Sequence, residues 1–119
     1  MDKLERIFEL QEAFDGLLMD LRSLQGISTE QWIQKETLAM MSELAELIDE
    51  VNFKWWKNPK ELDYAAIKEE LVDILHFFVS MCLKVGMDAE ELCRLYTEKN
   101  RENFHRQQGR SEKPGYEAV

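Results

Sequence analysis

Residues 69–84 read EELVDILHFFVSMCLK, and this stretch decides the fold class. It lacks the alternation of a half-buried strand, and from Ile74 to Leu83 ten residues pass with no Asp, Glu, Lys or Arg. A membrane span needs about 20 such residues. A shorter run that is apolar nearly all round describes a helix expected inside a protein. Asp73 then sits among Val72, Ile74, Leu75 and Phe77, shut away from solvent. Buried carboxylates are rare unless they are paired or hold a metal, so the stretch that predicts a core also flags a site.

Worked outward, the pattern predicts three more helices. The quoted stretch lies in a helix expected over about Tyr64–Val85 and closed by Gly86. Upstream, a helix over about Asp2–Leu24 carries Leu4, Ile7, Phe14, Leu18 and Leu21 at helical spacing. Gln25-Gly26 is its expected stop, because glycine tolerates left-handed backbone. The next helix begins at Ser28, where Ser28 and Gln31 have capping-box spacing, and runs to about Val51. The connector NFKWWKNPKELD is expected to turn at Asn58-Pro59. Asp88 caps a fourth helix that reaches about Gln107, with Glu91 completing a second box. The expected fold is therefore all-α, a bundle of four main helices over residues 1–108 with a polar tail over 109–119.

Composition narrows the function. The chain has 119 residues, one domain's worth, with 45% hydrophobic and 33% charged residues, which excludes disorder and low-complexity binding segments. Fifteen Lys and Arg against 24 Asp and Glu leave a formal charge of −9. Such a surface repels nucleic-acid backbone and anionic lipid, so neither is expected as a partner. The N-terminus MDKLERIFEL has no apolar signal core, and a cytoplasmic location is expected. Cys82 and Cys93 match no metal-ligand spacing and read as buried, reduced thiols.

On the second helix Ile33, Met40, Leu44, Leu47 and Val51 form an apolar stripe, and Glu36, Glu43, Glu46 and Glu50 form an acidic stripe beside it. Glutamates on an amphipathic helix ordinarily face water. Glu43/Glu46 and Glu70/Asp73, however, are two i, i+3 pairs that converge if the second and third helices pack antiparallel. Four converging carboxylates stay ionised only with cations between them. Oxygen ligands without His or Cys point to Mg²⁺ or Mn²⁺.

On the fourth helix the face of Leu92, Leu95 and Tyr96 continues into Lys99, Asn103 and Arg106. Cations suit a helix C-terminus in any case, but their place on the inward face fits a phosphate clamp, with Arg106 as a fork and Lys99 as a point charge. Gln11 lies within the apolar stripe of the first helix, either as a satisfied helix contact or as a reader of a pyrimidine edge. Trp55 and Trp56 read as core or interface anchors, and His76 as a core histidine.

Together these residues resemble the all-α nucleotide pyrophosphatases, the superfamily of MazG-like enzymes and dimeric dUTPases, whose signature is ExxE followed by ExxD. The segments IFELQEAFD, ELAELIDE, KWWK, EELVDILHFF and KNRENFHRQQG, with the closing GY, are most similar to the dimeric dUTPases. The resemblance implies that Glu43, Glu46, Glu70 and Asp73 bind two or three Mg²⁺ ions, with Mn²⁺ as an alternative. It implies that Lys99, Asn103 and Arg106 bind phosphate, helped by the tail at Tyr116. It assigns uracil reading to Gln11, with Trp56 and Phe77 beside the base and sugar. Phe14 stands where larger members carry an asparagine.

The resemblance thus implies a Mg²⁺-dependent diphosphatase converting dUTP to dUMP and pyrophosphate, and also accepting dUDP, with Glu43 or Glu46 handling the attacking water. A homodimer is expected, since Trp32, Phe53, Trp55 and Phe104 are surplus aromatics for so small a monomer. Two rivals remain: a MazG-like pyrophosphatase acting on another nucleotide such as dCTP, and a non-catalytic helical interaction module.

Overall fold

The computed structural model of the chain describes residues 2–117, so the last two residues of the expected tail lie outside the described residues. It holds four helices, α1 (Lys3–Arg22), α2 (Thr29–Asp49), α3 (Tyr64–Lys84) and α4 (Ala89–Gln107), and no strand among the described residues. The fold is all-α, as the hydrophobic spacing predicts. The helices fall into two compact units, Met1–Gly86 with α1 to α3, and Met87–Val119 with α4 and the tail.

Each helix starts where a side chain takes up an unsatisfied amide. Asp2, Ser28, Asp63 and Asp88 accept from the backbone N–H three residues on. At α2 the box is complete, since Gln31 Oε1 also accepts from the Ser28 amide at 3.0 Å. At α4 only the Asp88 half forms among the described residues, so Glu91 does not complete the expected box.

Two ends differ from expectation. The left-handed residue that stops α1 is Ser23, at φ 54°, and its amide bonds back to Met19; Gly26 is not used for the purpose. The connector is pinned by Asn52 rather than turned at Asn58-Pro59. Asn52 sits at φ 57° and its side-chain amide pairs with the Lys60 backbone on both sides, donating at 2.8 Å and accepting at 3.0 Å. An amide side chain that mimics a backbone turn does here what a proline alone does not. Gly86, at φ 78°, ends α3 as expected.

In the first unit α3 packs on both α2 and α1. The direction of the α2–α3 pair follows from its contacts. Glu36 meets Ser80 and Thr37 meets Met81, whereas Glu43, farther along α2, meets Glu70, earlier on α3. The pair is antiparallel.

The buried apolar core of this unit is small, Phe8, Val79 and Cys82. Two expectations fail here for one reason. On α1 the buried side is Phe8 and Gln11, while Ile7, Phe14 and Leu21 of the expected stripe are exposed. On α3, Val79, Ser80 and Cys82 are buried, yet Leu71 and Val72 are 52% and 63% exposed and Asp73 is only half-buried. Both helices carry apolar residues on more than one face, and one chain covers only one of them. Cys93 is exposed, against expectation, while burial pushes the Cys82 thiol up from its ordinary value.

In the second unit Ala89 is buried under the start of α4, and the chain leaves the helix through Gly109 at φ 71°. No helix among the described residues is long and apolar enough to cross a membrane.

Candidate active site

Antiparallel packing of α2 on α3 brings Glu43, Glu46 and Glu70 together, each offering a carboxylate oxygen within 4.8 Å of the others. Spacing i, i+3 places the two α2 glutamates on one face, and α3 delivers the third from across the helix pair. Asp73, the fourth residue of the expected set, is not among the converging ligand atoms. It stands one turn farther along α3, and its charge still reaches Glu43.

The electrostatics are those of crowded like charges. Burial, then the hydrogen bond with Glu43 and the charge of Glu46, raises Glu70 to about 7. The hydrogen bond from Glu70 holds Glu43 down, but burial, the Glu46 carboxylate and the Asp73 charge outweigh it and leave Glu43 raised as well. Crowded acids hold on to protons in this way when no cation separates them. Glu43 Oε2 and Glu70 Oε2 are nonetheless buried with no hydrogen-bond partner, as is Glu36 Oε2 about two turns earlier on α2, where Lys84 lies close by. Carboxylate oxygens are seldom orphaned in this way, and an all-oxygen donor set with unfilled lone pairs fits a hard divalent cation such as Mg²⁺ or Mn²⁺.

A second polar cluster lies in the same unit, and the sequence pattern does not reveal it. Glu36, assigned by its spacing to the acidic stripe, is 7% exposed and hydrogen-bonded with Ser80. Ser80 Oγ also lies 2.8 Å from Asp15 Oδ2, so its one hydroxyl proton serves two carboxylates. Lys84 Nζ donates to Ser80 at 3.1 Å, lies 3.6 Å from both Asp15 and Glu36, and sits 4.4 Å from the Trp32 ring centroid. Gln11 joins this cluster through its Nε2, which donates to Asp15 Oδ1 at 2.9 Å.

Two cavities flank these residues. One of about 360 Å³ is lined by Gln11, Leu10, Val72, His76 and Val79. Another of about 230 Å³ is lined by Trp32, Glu36, His76, Phe77 and Lys84. His76 is therefore less a core histidine than a wall between cavities, stacked edge-on against Phe14 at 5.4 Å and Phe77 at 4.9 Å. Of the three residues assigned to base and sugar, Gln11 and Phe77 line these cavities, one each. Trp56 does not. It is 59% exposed on the connector, edge-on to Trp55 and Phe53.

In the second unit Asn103, Arg106 and Tyr116 come together. Arg106 Nη1 donates to Asn103 Oδ1 at 3.4 Å, and its guanidinium lies 5.6 Å from the Tyr116 ring centroid. Lys99 is exposed on α4 and shares no hydrogen bond or ion pair with them among the described residues. Glu102 was not foreseen. It accepts from Arg106 Nε at 3.2 Å and from Ser111 Oγ at 2.6 Å, and the Ser111 bond, with the Arg106 charge, lowers its carboxyl.

Four helices, with an ExxE helix laid antiparallel on an ExxD helix, make this an all-α protein built around an acidic cluster. More narrowly, a family model described as dUTPase matches residues 3–88, well over half of the chain, and the chain belongs to that dUTPase family. Lys99, Asn103, Arg106 and Tyr116 lie beyond the matched span. Among curated proteins, the chain is 53% identical to the dCTP pyrophosphatase of Enterobacteria phage T4 over 38% of this chain and 26% of that protein. It is 38% identical to the dCTP pyrophosphatase of Enterobacteria phage LZ5 over 71% of this chain and 48% of that protein. A DNA replication protein of phage T4 is 51% identical over 33% of this chain and only 10% of its own length. In each case the chain spans half or less of the relative. No solved structure matches the chain.

Proposed function

We propose that the protein is a Mg²⁺-dependent nucleoside triphosphate pyrophosphohydrolase that converts dUTP to dUMP and pyrophosphate, and also takes dUDP. The observation that carries the reading is the Glu43, Glu46 and Glu70 convergence, with two buried oxygens left unpartnered, in a chain of the dUTPase family. Those three residues, with Asp73 from the next turn, are the proposed holders of two or three Mg²⁺ or Mn²⁺ ions. When bound, such ions polarise phosphate oxygens and acidify water.

The remaining work falls to the chain's own groups. Glu46 is exposed at the edge of the cluster, and Glu43 is half-buried beside it. One of them orients the attacking water and takes its proton. Water adds at phosphorus, a P–O bond of the phosphate chain breaks, and pyrophosphate departs from dUTP or phosphate from dUDP. Arg106 as a fork, with Lys99, Asn103 and Tyr116, is the proposed clamp for the phosphate charge. Gln11, Phe77 and Trp56 are the proposed contacts to base and sugar.

The working unit is proposed to be a homodimer. Leu71 and Phe78 on α3 and Leu17 and Leu21 on α1 are exposed, and contiguous exposed apolar residues in a small monomer mark an association surface. A second copy is the proposed partner, with nucleotide as the only other one. Two free cysteines suit the reducing cytoplasm.

The second reading, the same chemistry on dCTP, is favoured by the names of the two phage relatives. Pyrophosphate release from a panel of nucleotides, with Mg²⁺ and with EDTA, separates the possibilities. Metal-dependent release confined to dUTP supports the first reading, and release confined to dCTP supports the second. No release from any nucleotide contradicts both and favours a non-catalytic interaction module.

A further inference from the structure

We propose that Asp15 is a positioning residue that fixes the polarity of the Gln11 amide, and thereby makes the site choose a pyrimidine with a proton on N3 over one without. The proposal rests on the reading of Gln11 as the base contact. Gln11 is 8% exposed, and its Nε2 donates to Asp15 Oδ1 at 2.9 Å. A carboxylate offers only acceptors, so the amide has one orientation. One of its two N–H protons is committed to Asp15, and Oε1, which accepts no hydrogen bond among the described residues, is the fixed acceptor left for a ligand in the 360 Å³ cavity that Gln11 lines.

Asp15 is itself held. Its second oxygen lies 2.8 Å from Ser80 Oγ, whose one proton it shares with Glu36, and faces Lys84 Nζ at 3.6 Å. Ser80 is fully buried, and Lys84 is 15% exposed at its side chain. Neither can be replaced by water without leaving a buried charge short of a partner.

The chemistry follows from the sign of N3. Uracil carries N3–H, a donor that a fixed carbonyl oxygen accepts. Cytosine carries an N3 lone pair, which a fixed carbonyl oxygen repels and leaves unsatisfied. A site built around one polarity rejects the other strongly, because a buried polar group is left without a partner.

Asp15→Asn inverts the arrangement without changing its shape. Lys84 Nζ brings its charge and protons to the far side of residue 15, and Ser80 Oγ has its single proton to share there with Glu36, so the new side chain turns its carbonyl to them and its NH₂ to Gln11. Gln11 must then accept with Oε1 and present Nε2 to the ligand, which suits cytosine N3.

The test measures kcat/KM for dUTP and dCTP in wild type, Asp15→Asn and Gln11→Ala. The ratio of dUTP to dCTP is expected to move toward dCTP by at least about tenfold in Asp15→Asn, with the larger change in KM. A ratio that stays put, or moves toward dUTP, overturns the proposal. Gln11→Ala separates the two layers. If Gln11→Ala changes the ratio and Asp15→Asn does not, the lock is wrong and the base contact stands. If Gln11→Ala leaves the ratio unchanged, the base contact itself is wrong. Wild-type protein supplies a check independent of any variant's folding. One Gln11 Nε2 proton should be shifted and slow to exchange in the NMR spectrum, and a freely averaging side-chain amide overturns the lock.

Discussion

Two acidic clusters sit in one helical unit, and they handle charge in opposite ways. Asp15 and Glu36 have Lys84 within 3.6 Å of both and Ser80 bonded between them. Glu43, Glu46 and Glu70 have no cation among their described ion pairs, and their crowding raises Glu43 and Glu70 above the ordinary carboxylate value. The first cluster carries its own counter-charge in Lys84, although Glu36 Oε2 is buried there without a hydrogen-bond partner. The second depends on charge from solution. Acidity and burial alone do not separate a structural cluster from a site; the presence or absence of an internal cation does.

The comparison breaks most visibly at Glu70. Glu70→Gln should cut turnover by about 100-fold or more, the scale at which damage to a metal site is felt. In EDTA the same variant should keep or raise its melting temperature, since it removes one member of a repelling set. Lys84→Met should do the reverse. Removing the partner of two largely buried carboxylates should cost about 3 kcal/mol in urea unfolding, and added Mg²⁺ should not restore it. If Lys84→Met leaves stability unchanged, the first cluster is not what it seems.

A smaller effect comes with pH. Glu70 is raised from the ordinary 4.5 to about 7 in the fold, so the folded state binds the proton more tightly than the unfolded chain. That contribution is fully present below pH 4.5 and lost as pH rises through about 7. The metal-free protein should therefore melt lower at pH 8 than at pH 5.5, and Mg²⁺ should reverse the loss at the upper end only. A melting temperature that rises with pH in EDTA contradicts the raised Glu70 carboxyl. The smallest effect sharpens the comparison from outside it. Ser28→Ala removes a helix cap whose side chain belongs to neither cluster and should cost about 1 kcal/mol, with kcat/KM unchanged.

How much of this was legible depends on which physical signal each residue carries. Helix starts were, because Ser28 and Asp88 announce themselves locally. The Glu43, Glu46 and Glu70 cluster was, because i, i+3 spacing on two helices is a strong geometric statement. The Asp15, Ser80 and Lys84 cluster was not, since Asp15 and Ser80 lie 65 residues apart and meet only through packing. Asp73 was read as buried and as part of the convergence because its neighbours are apolar. Those neighbours prove to be partly outward-facing, and a list of apolar residues does not say which of two apolar faces a single chain covers. Asn52 and Glu102 act through bonds to partners eight and nine residues away, which no periodicity reports.

The most direct measurement is Mn²⁺ binding at pH 7.5, followed by calorimetry, in wild type, Glu70→Gln and Glu36→Gln. Binding in wild type and in Glu36→Gln but not in Glu70→Gln is the predicted result, since only the cluster without its own cation takes one from solution. Binding that survives Glu70→Gln, or that is absent from wild type, contradicts the assignment of the metal site and the hydrolytic function built on it.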